Sequence, residues 1–437
     1  MSLGAARSTA AKDEITSRVD ELVHGLSSSH ASLVSVPAPL VPIERAAAAI
    51  EGFGAALATA DGDAVVALAS HRILPLDVDG SELVATLRAL ARRPSQVAPF
   101  ATFAMAFDGT RTGETLEPLG FVIPRVAYVV RRGRAFVVAI GDSSEAEAIR
   151  ADARRLFERL AEPVPTENPA VETVVDRDDV RFRESVASAI ESIRAHSLDK
   201  VVLARRVLAR LQRAPSSASL FAALSVRAPT THRFLLVRGD SAFVGATPER
   251  LVSCRDGSIS TEALAGTKRR GETTELVASS KDRAEQRWVL DAIRESLEPM
   301  VESLRVDAEP RPRELRDLVH LATTFDGPLR SGRTAIDVLR ALHPTPAVCG
   351  VPRGRAAEQI RVAEPFDRGH YAAPFGWIDA HGDADVVVAL RCGVFRDRMA
   401  LLYAGAGIVE GSDPELELEE TDLKLRALLS VLDGDPD

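Results

Sequence analysis

Lysine is rare in this chain, and the few lysines present lie close to acids that could act with them. Of 54 basic residues only Lys12, Lys200, Lys268, Lys281 and Lys424 are lysine, so arginine serves wherever a plain positive charge is enough. The surviving lysines are therefore candidates for places where arginine fails, a compact ammonium that can lose its proton being one such need, although Lys12 shows that the filter leaks. Two acidic pairs stand at i, i+3, the spacing that puts both side chains on one helix face: Asp282 with Glu285, and Glu417 with Glu420. Lys424 follows one turn after Glu420 on that face. Four carboxylates from two helices suit a hard, oxygen-seeking cation such as Mg2+, with water completing its shell. The same spacing also describes ordinary solvated helix faces. Arg391 interrupts the apolar run VVVALRC, where a guanidinium calls for a facing carboxylate from the protein or from a ligand. His320 and His343 stand singly, a pattern more common for hydrogen-bonded structural histidines than for catalysts. The run AGAGIVEG at 404–411 follows a strand pattern and precedes a helix pattern, but its G-x-G-x-x-x-G spacing does not meet the dinucleotide fingerprint.

These residues need elements to hold them. KVVLARRVLARL is a β-branched run that opens on Lys200, and RFLLVRG, SAFVGAT, LVSC and SISTEAL read as further short strands. Periodicity predicts a helix from Asp178 or Asp179 to about Ser197, and a long one over 275–305 with Leu276, Trp288, Ile293 and Leu297 on its apolar positions. AIDVLRALH and RGRAAEQIRVA read as shorter helices. ADVVVALRCGVFR and MALLYAGAGIV read as a hairpin turning at Asp397 and Arg398, and a last helix is expected from Pro414 to about Leu432. Upstream of the Pro-rich stretch EPVPTENP and an acidic connector, β-rich runs alternate with helical segments expected at 44–60 and 145–161. The first thirty-odd residues, Lys12 among them, read as a mobile tail.

At 437 residues and 46% hydrophobic content the chain can fill a sizeable core without staples, and its 27% charged residues exclude fibrous and largely disordered classes. Cys254, Cys349 and Cys392 are widely spaced and read as buried small residues. A net charge of −9 with dispersed basic residues argues against a nucleic-acid partner. No run approaches a membrane span and no signal-peptide pattern opens the chain, so a cytoplasmic protein is expected.

The motifs KVVLARR, TPERLV, ALAGT, KDRAEQ, HLATTFDG, LHPTPAVCG, EPFDRGHYAAPFGW, ALRC, YAGAGIV and ELEETDLKL, taken in order, resemble the motif set of the chorismate-binding enzymes over about residues 180–432. That resemblance implies an α/β (α+β) fold of stacked, largely antiparallel sheets with helices outside. Residues 178–433 would form the catalytic region, with 1–165 a divergent region contributing strands to the same fold. It also implies roles. Lys200 becomes the general base that activates water and Glu249 the general acid that protonates the departing hydroxyl. Glu285 and Glu420 become direct Mg2+ ligands, with Glu417 and Asp282 nearby or acting through water. Arg391 with Gly405 and Gly407 would hold the enolpyruvyl carboxylate of chorismate; Tyr371 and Lys424 line the same pocket, and Leu390 precedes Arg391 in its wall. Thr267, His320 and Ala347 fall at ring-contacting positions.

The residue types fit such a reaction. The ring C4 hydroxyl must leave as water enters at C2, so a carboxyl still protonated near neutral pH is needed, and burial supplies one. The lysine must be neutral to accept a proton from water, which burial or neighbouring positive charge favours. Within the family, anthranilate synthases place glutamine where Lys200 stands, and aminodeoxychorismate synthases use a lysine where this chain has Ala265. Isochorismate and salicylate synthases remain. Ala347 and the EPFDRGHYAAPFGW segment resemble the former, whereas Leu390 is frequent in the latter. The expectation is a monomeric, Mg2+-dependent isochorismate synthase, an isomerase; the alternatives are salicylate synthase, then anthranilate synthase component I.

Overall fold

The longest apolar runs form strands buried on both faces, and their residues alternate between two cores. In Phe53–Ala58, Ala55 and Leu57 face one core while Ala56 and Ala58 face the other. In His232–Arg238, Phe234 and Leu236 are set against Leu235 and Val237 in the same way. The computed structural model describes residues 3–108, 116, 119–314 and 318–433; the side chains of Ala265, Thr267, Lys281, Asp282 and Glu285 lie outside the described ones.

One sheet runs through Ser32–Ala38, Arg134–Gly141, Leu119–Arg131, Ala64–Leu74, Phe53–Ala58 and His232–Arg238. It continues through Ser241–Thr247, Cys392–Arg396, Met399–Ile408, Lys200–Leu211 and Val171–Asp176. A second sheet leaves the first half of Leu119–Arg131 through Phe100–Ala104, Pro374–Asp379, Ala384–Val388, Arg250–Arg255, Ser258–Arg269 and Leu318–Pro328. All of these pairings are antiparallel. The sheets share Ala64–Leu74 and Leu119–Arg131, whose register shifts between Ser70 and Arg72 beside Ala69 at φ 53°, so the strands bend from one layer into the other.

The core between the layers is aromatic. Phe234 of the first sheet lies 5.3 Å from the ring of Phe243 and 5.3 Å from that of Phe375, which belongs to the second sheet. Helices Ser217–Arg227 and Pro414–Asp433 cover the other face of the first sheet through Phe221 and Leu425. Helix Ala335–Leu342 opens with a capping box between Thr334 and Asp337 and packs Ile336 and Leu339 into the inter-sheet core.

Four expectations need correction. Residues 3–24 form a helix, Leu3–His24, whose Val19 and Leu22 are buried in the core shared with Ala146–Leu160. The segment 44–60 is a short helix, Ile43–Ala47, followed by the strand Phe53–Ala58, because alanine fits either and β pairing decides. The helix expected over 275–305 is divided into Thr273–Ala278 and Ser280–Leu297, and Trp288 is 39% exposed instead of buried. The run ADVVVALRCGVFR breaks at Arg391, φ 50°, into Ala384–Val388 and Cys392–Arg396. All three cysteines are free and buried as expected, and no helix among the described residues is long and apolar enough to cross a membrane.

Phe234 is fully buried between partners from both sheets. Phe234→Ala is expected to destabilise the chain by about 3–5 kcal/mol in a urea titration, whereas Val180→Ala, at an exposed position, should change it by under about 0.5 kcal/mol.

Candidate active site

Lys200–Leu211 pairs with Met399–Ile408 so that Val202 faces Gly407 and Ala204 faces Gly405. Both glycines line a cleft of about 770 Å³ of atom-free space, part of it open to solvent. A Cβ on Gly405 would come within 2.9 Å of the Tyr371 hydroxyl and 3.0 Å of the Leu203 carbonyl, so only glycine leaves this wall in place. Helix Pro414–Asp433 closes one side. Asp413 caps it by accepting from the Glu415 and Leu416 amides at 3.0 and 3.1 Å, and Lys424 Nζ donates to the Gly405 carbonyl at 2.8 Å and to Glu420 Oε1 at 2.6 Å. Arg205, fully buried on the neighbouring strand, ties this helix down through Thr421 Oγ1 at 2.7 Å and the Asp422 carboxylate, and reaches Asp179 at 2.5 Å.

Glu249 lies in the turn between Ser241–Thr247 and Arg250–Arg255. Its amide donates to Thr247 Oγ1 at 3.2 Å and its carbonyl accepts from the Val388 amide at 3.1 Å, so the backbone is held on both sides. Burial pushes its carboxyl up to about 7, against the opposing pull of Lys200, Lys424 and Arg391. Lys200 opens its strand and is completely buried; it is absent from the described lining of the cleft, although its charge reaches Glu249.

Leu390 and Arg391 enter the cleft at the break between two strands, where the Arg391 carbonyl accepts from the Ala246 amide at 3.2 Å. Gly266, at φ 72°, makes the bulge between Ala265 and Thr267, and His320 Nδ1 donates to its carbonyl at 3.1 Å. The bulge turns Gly266 and His320 toward the cleft. Tyr371 stacks on Tyr403 with ring centroids 5.2 Å apart. Of the residues singled out in the sequence, the wall therefore brings together Glu249, His320, Ala347, Tyr371, Leu390 and Arg391 with Gly405, Gly407, Glu420 and Lys424.

The others are placed differently. Glu417 is buried one turn before Glu420. The Thr267 backbone pairs with His320, while its side chain, like those of Asp282 and Glu285 in helix Ser280–Leu297, lies outside the described residues. Gln286, next to Glu285, donates to the Ala263 carbonyl at 3.3 Å, which seats that helix on the strand Ser258–Arg269. Among the described residues no group of three or more acid, histidine or cysteine side chains converges as a metal centre. Glu417 and Glu420 do offer two hard oxygen donors from one helix face, a donor set compatible with Mg2+.

Residues 63–433 match the model of the chorismate binding enzyme family. The chain belongs to that family. It is 39% identical over 272 residues to the salicylate biosynthesis isochorismate synthase of Pseudomonas aeruginosa, covering 58% of this chain and 54% of that protein. Similarity to the isochorismate synthase MenF of Bacillus subtilis is 34% identity over 269 residues, 60% of this chain and 57% of that protein. The chain thus spans little more than half the length of these curated relatives. The solved structure of MenF, the menaquinone-specific isochorismate synthase from Escherichia coli, superposes with a TM-score of 0.80 at 26% identity, covering 97% of this chain and 99% of that one.

Sequence reasoning missed the pair that finishes the wall of this cleft. Glu364 and Arg368 are both buried and joined by an ion pair of 2.5 Å. Glu364 Oε1 accepts from the Ala204 amide at 2.8 Å, while Arg368 donates to the carbonyls of Val202 and Val348 at 2.8 Å each. Among the described residues this edge is paired by Gly350–Val351 up to Val201 and by Val171–Asp176 from Leu208, and in the gap between them two side chains make ladder bonds that a neighbouring strand would make. The signal was present as E-x-x-x-R within EPFDRG, a spacing of four that allows a local ion pair. Glu364→Ala leaves the Arg368 charge buried without its carboxylate. A loss of about 3–5 kcal/mol is expected by chemical denaturation, and replacing Arg368 with Met in the same chain should recover part of it.

Proposed function

We propose that the chain converts chorismate to isochorismate. The observation that carries this reading is Glu249, a carboxyl raised by burial to about 7 within reach of Lys200, Lys424 and Arg391. Near neutral pH much of it keeps its proton and can give that proton to a leaving hydroxyl. In this reading Lys200 takes a proton from water as the water oxygen bonds to ring C2. The ring double bonds shift, the C4–O bond breaks, and Glu249 protonates the departing oxygen so that it leaves as water. Lys200 finishes protonated and Glu249 ionised, and solvent exchange resets both.

Arg391 would grip the enolpyruvyl carboxylate, with Gly405 and Gly407 allowing close approach of backbone, Tyr371 and Lys424 bordering it, and Leu390 filling the wall beside it. Thr267, His320 and Ala347 would contact the ring. Glu420 and Glu285 would hold Mg2+, with Glu417 and Asp282 behind them or acting through water. Bound there, Mg2+ would neutralise and fix the ring carboxylate. The names of the similar proteins support isochorismate as the product, and Ala347 in the wall agrees with that. Leu390 favours a second reading in which pyruvate is then eliminated to give salicylate.

Incubation with chorismate and Mg2+ should give isochorismate by chromatography, and salicylate or no conversion would refute the assignment. Lys200→Ala should lower turnover by about 10²–10⁴-fold. Activity should fall as pH rises through about 7, because Glu249 then loses the proton it must donate.

Stability gives a second readout for the same carboxyl. With its folded value raised from 4.5 to about 7, the native state binds more protons than the unfolded chain between those values, so stability falls as pH rises through that window. Glu249→Gln should therefore be inactive at every pH, yet gain in thermal midpoint relative to the parent on going from pH 5 to pH 8.

A further inference from the structure

A second cavity, larger than the cleft and sharing no lining residue with it, opens where the turns of both sheets meet. It encloses about 1400 Å³ of atom-free space, part of it open to solvent. The turn at 131–134, the hairpin turns holding Asp63, Arg255 and Asp379, and the segment 95–98 form its rim. Phe100, Phe136 and Trp377, all buried, make an aromatic floor, and Val97 and Ala98 extend the apolar surface.

Charged groups surround that floor, and their hydrogen bonds are unequally used. Asp379 Oδ1 accepts from the His381 and Asp383 amides at 2.8 and 3.1 Å, Asp383 Oδ1 accepts from the Asp256 amide at 2.8 Å, and Asp63 Oδ1 accepts from the Arg132 amide at 3.0 Å. Asp63 also lies 3.6 Å from Arg255. These acids hold their own turns together. Asp256 is exposed.

The cations are less committed. Arg131 lies with its guanidinium carbon 3.9 Å from the centroid of the Trp377 ring; one of its terminal nitrogens, Nη1, serves the carbonyls of Ala64 and Val130 at 3.4 and 3.0 Å. Its Nε and Nη2 carry no hydrogen bond among the described residues, and the side chains of Arg132 and Arg134 have no hydrogen-bonding or acidic partner there. Guanidinium donors of three arginines thus stand at the edge of an apolar floor. That combination suits a ligand with a flat hydrophobic body and one or two carboxylate oxygens.

We propose that this cavity binds a small aromatic carboxylate, its ring over Phe100 and Phe136 and its carboxylate on Arg131, Arg132 and Arg134. The site is independent of the cleft and of the chorismate reading, since it rests on different residues. The test uses the full chain and benzoate as probe. Calorimetry should show saturable binding of one equivalent, unaffected by chorismate. Arg132→Ala with Arg134→Ala, both exposed positions, should weaken it by about tenfold or more. The chain has two tryptophans, so in a Trp288→Phe background the remaining emission comes from Trp377 and should change along the same binding curve. Absence of saturable binding, an unchanged affinity in the double variant, or displacement of benzoate by chorismate would each overturn the site. Inorganic phosphate binding as tightly as benzoate would also overturn it, because the aromatic floor would then contribute nothing.

Discussion

The cleft depends on keeping water away from one carboxyl while surrounding it with positive charge. Lys200, Lys424 and Arg391 all favour the ionised form of Glu249, and in a wet site they would hold it well below the ordinary glutamate value. Desolvation outweighs all three. That result requires a rigid wall, because a turn able to open would hydrate the carboxyl and reverse the balance. The Glu249 backbone is accordingly bonded to Thr247 on one side and Val388 on the other, linking the two sheets beside this carboxyl.

Other buried charges in the molecule are treated differently, and the contrast identifies the site. Asp385 is fully buried but meets Arg250 at 3.1 Å and also the Arg255 guanidinium. Glu364 and Arg368 neutralise one another and use their remaining bonds on the strand edge at Val202 and Ala204. Arg205 spends its donors on Thr421, Asp179 and Asp422. In each case the partners are fixed and the charge is consumed by structure. Around Glu249, Arg391 and Lys424 line the same cleft, and within its described wall Lys424 pairs with Glu420. The fully paired networks beside the cleft hold its wall in shape.

The sequence was most legible where one interaction decided the structure. The last helix, from Pro414, and the strand beginning at Lys200 follow directly from pattern and caps. Legibility failed where local preference was weak and distant pairing decided. Ala-rich 44–60 could have been helix, but Phe53–Ala58 finds edges to pair with in Ala64–Leu74 and His232–Arg238. Trp288 carried the right periodicity and still faces outward, since periodicity gives a face without saying what covers it. At the site, residue type and motif order led to ten positions of the described wall. The Glu364–Arg368 pair was missed because its need arises from a gap between two paired stretches of a sheet edge, which only the assembled fold reveals.

The scarcity of lysine has a structural counterpart. At Arg205, Arg250 and Arg368 the guanidinium bridges several acceptors at once, which a planar fork does well. At Lys424 the opposite geometry applies. One ammonium sits between a glycine carbonyl at 2.8 Å and a carboxylate at 2.6 Å, against a wall where even a methyl group on Gly405 would collide with Tyr371. Lys200 occupies the first position of a strand with no exposed surface at all, again a place for a slender side chain. Lys12 has no such constraint in helix Leu3–His24, so scarcity selects candidates and packing separates them.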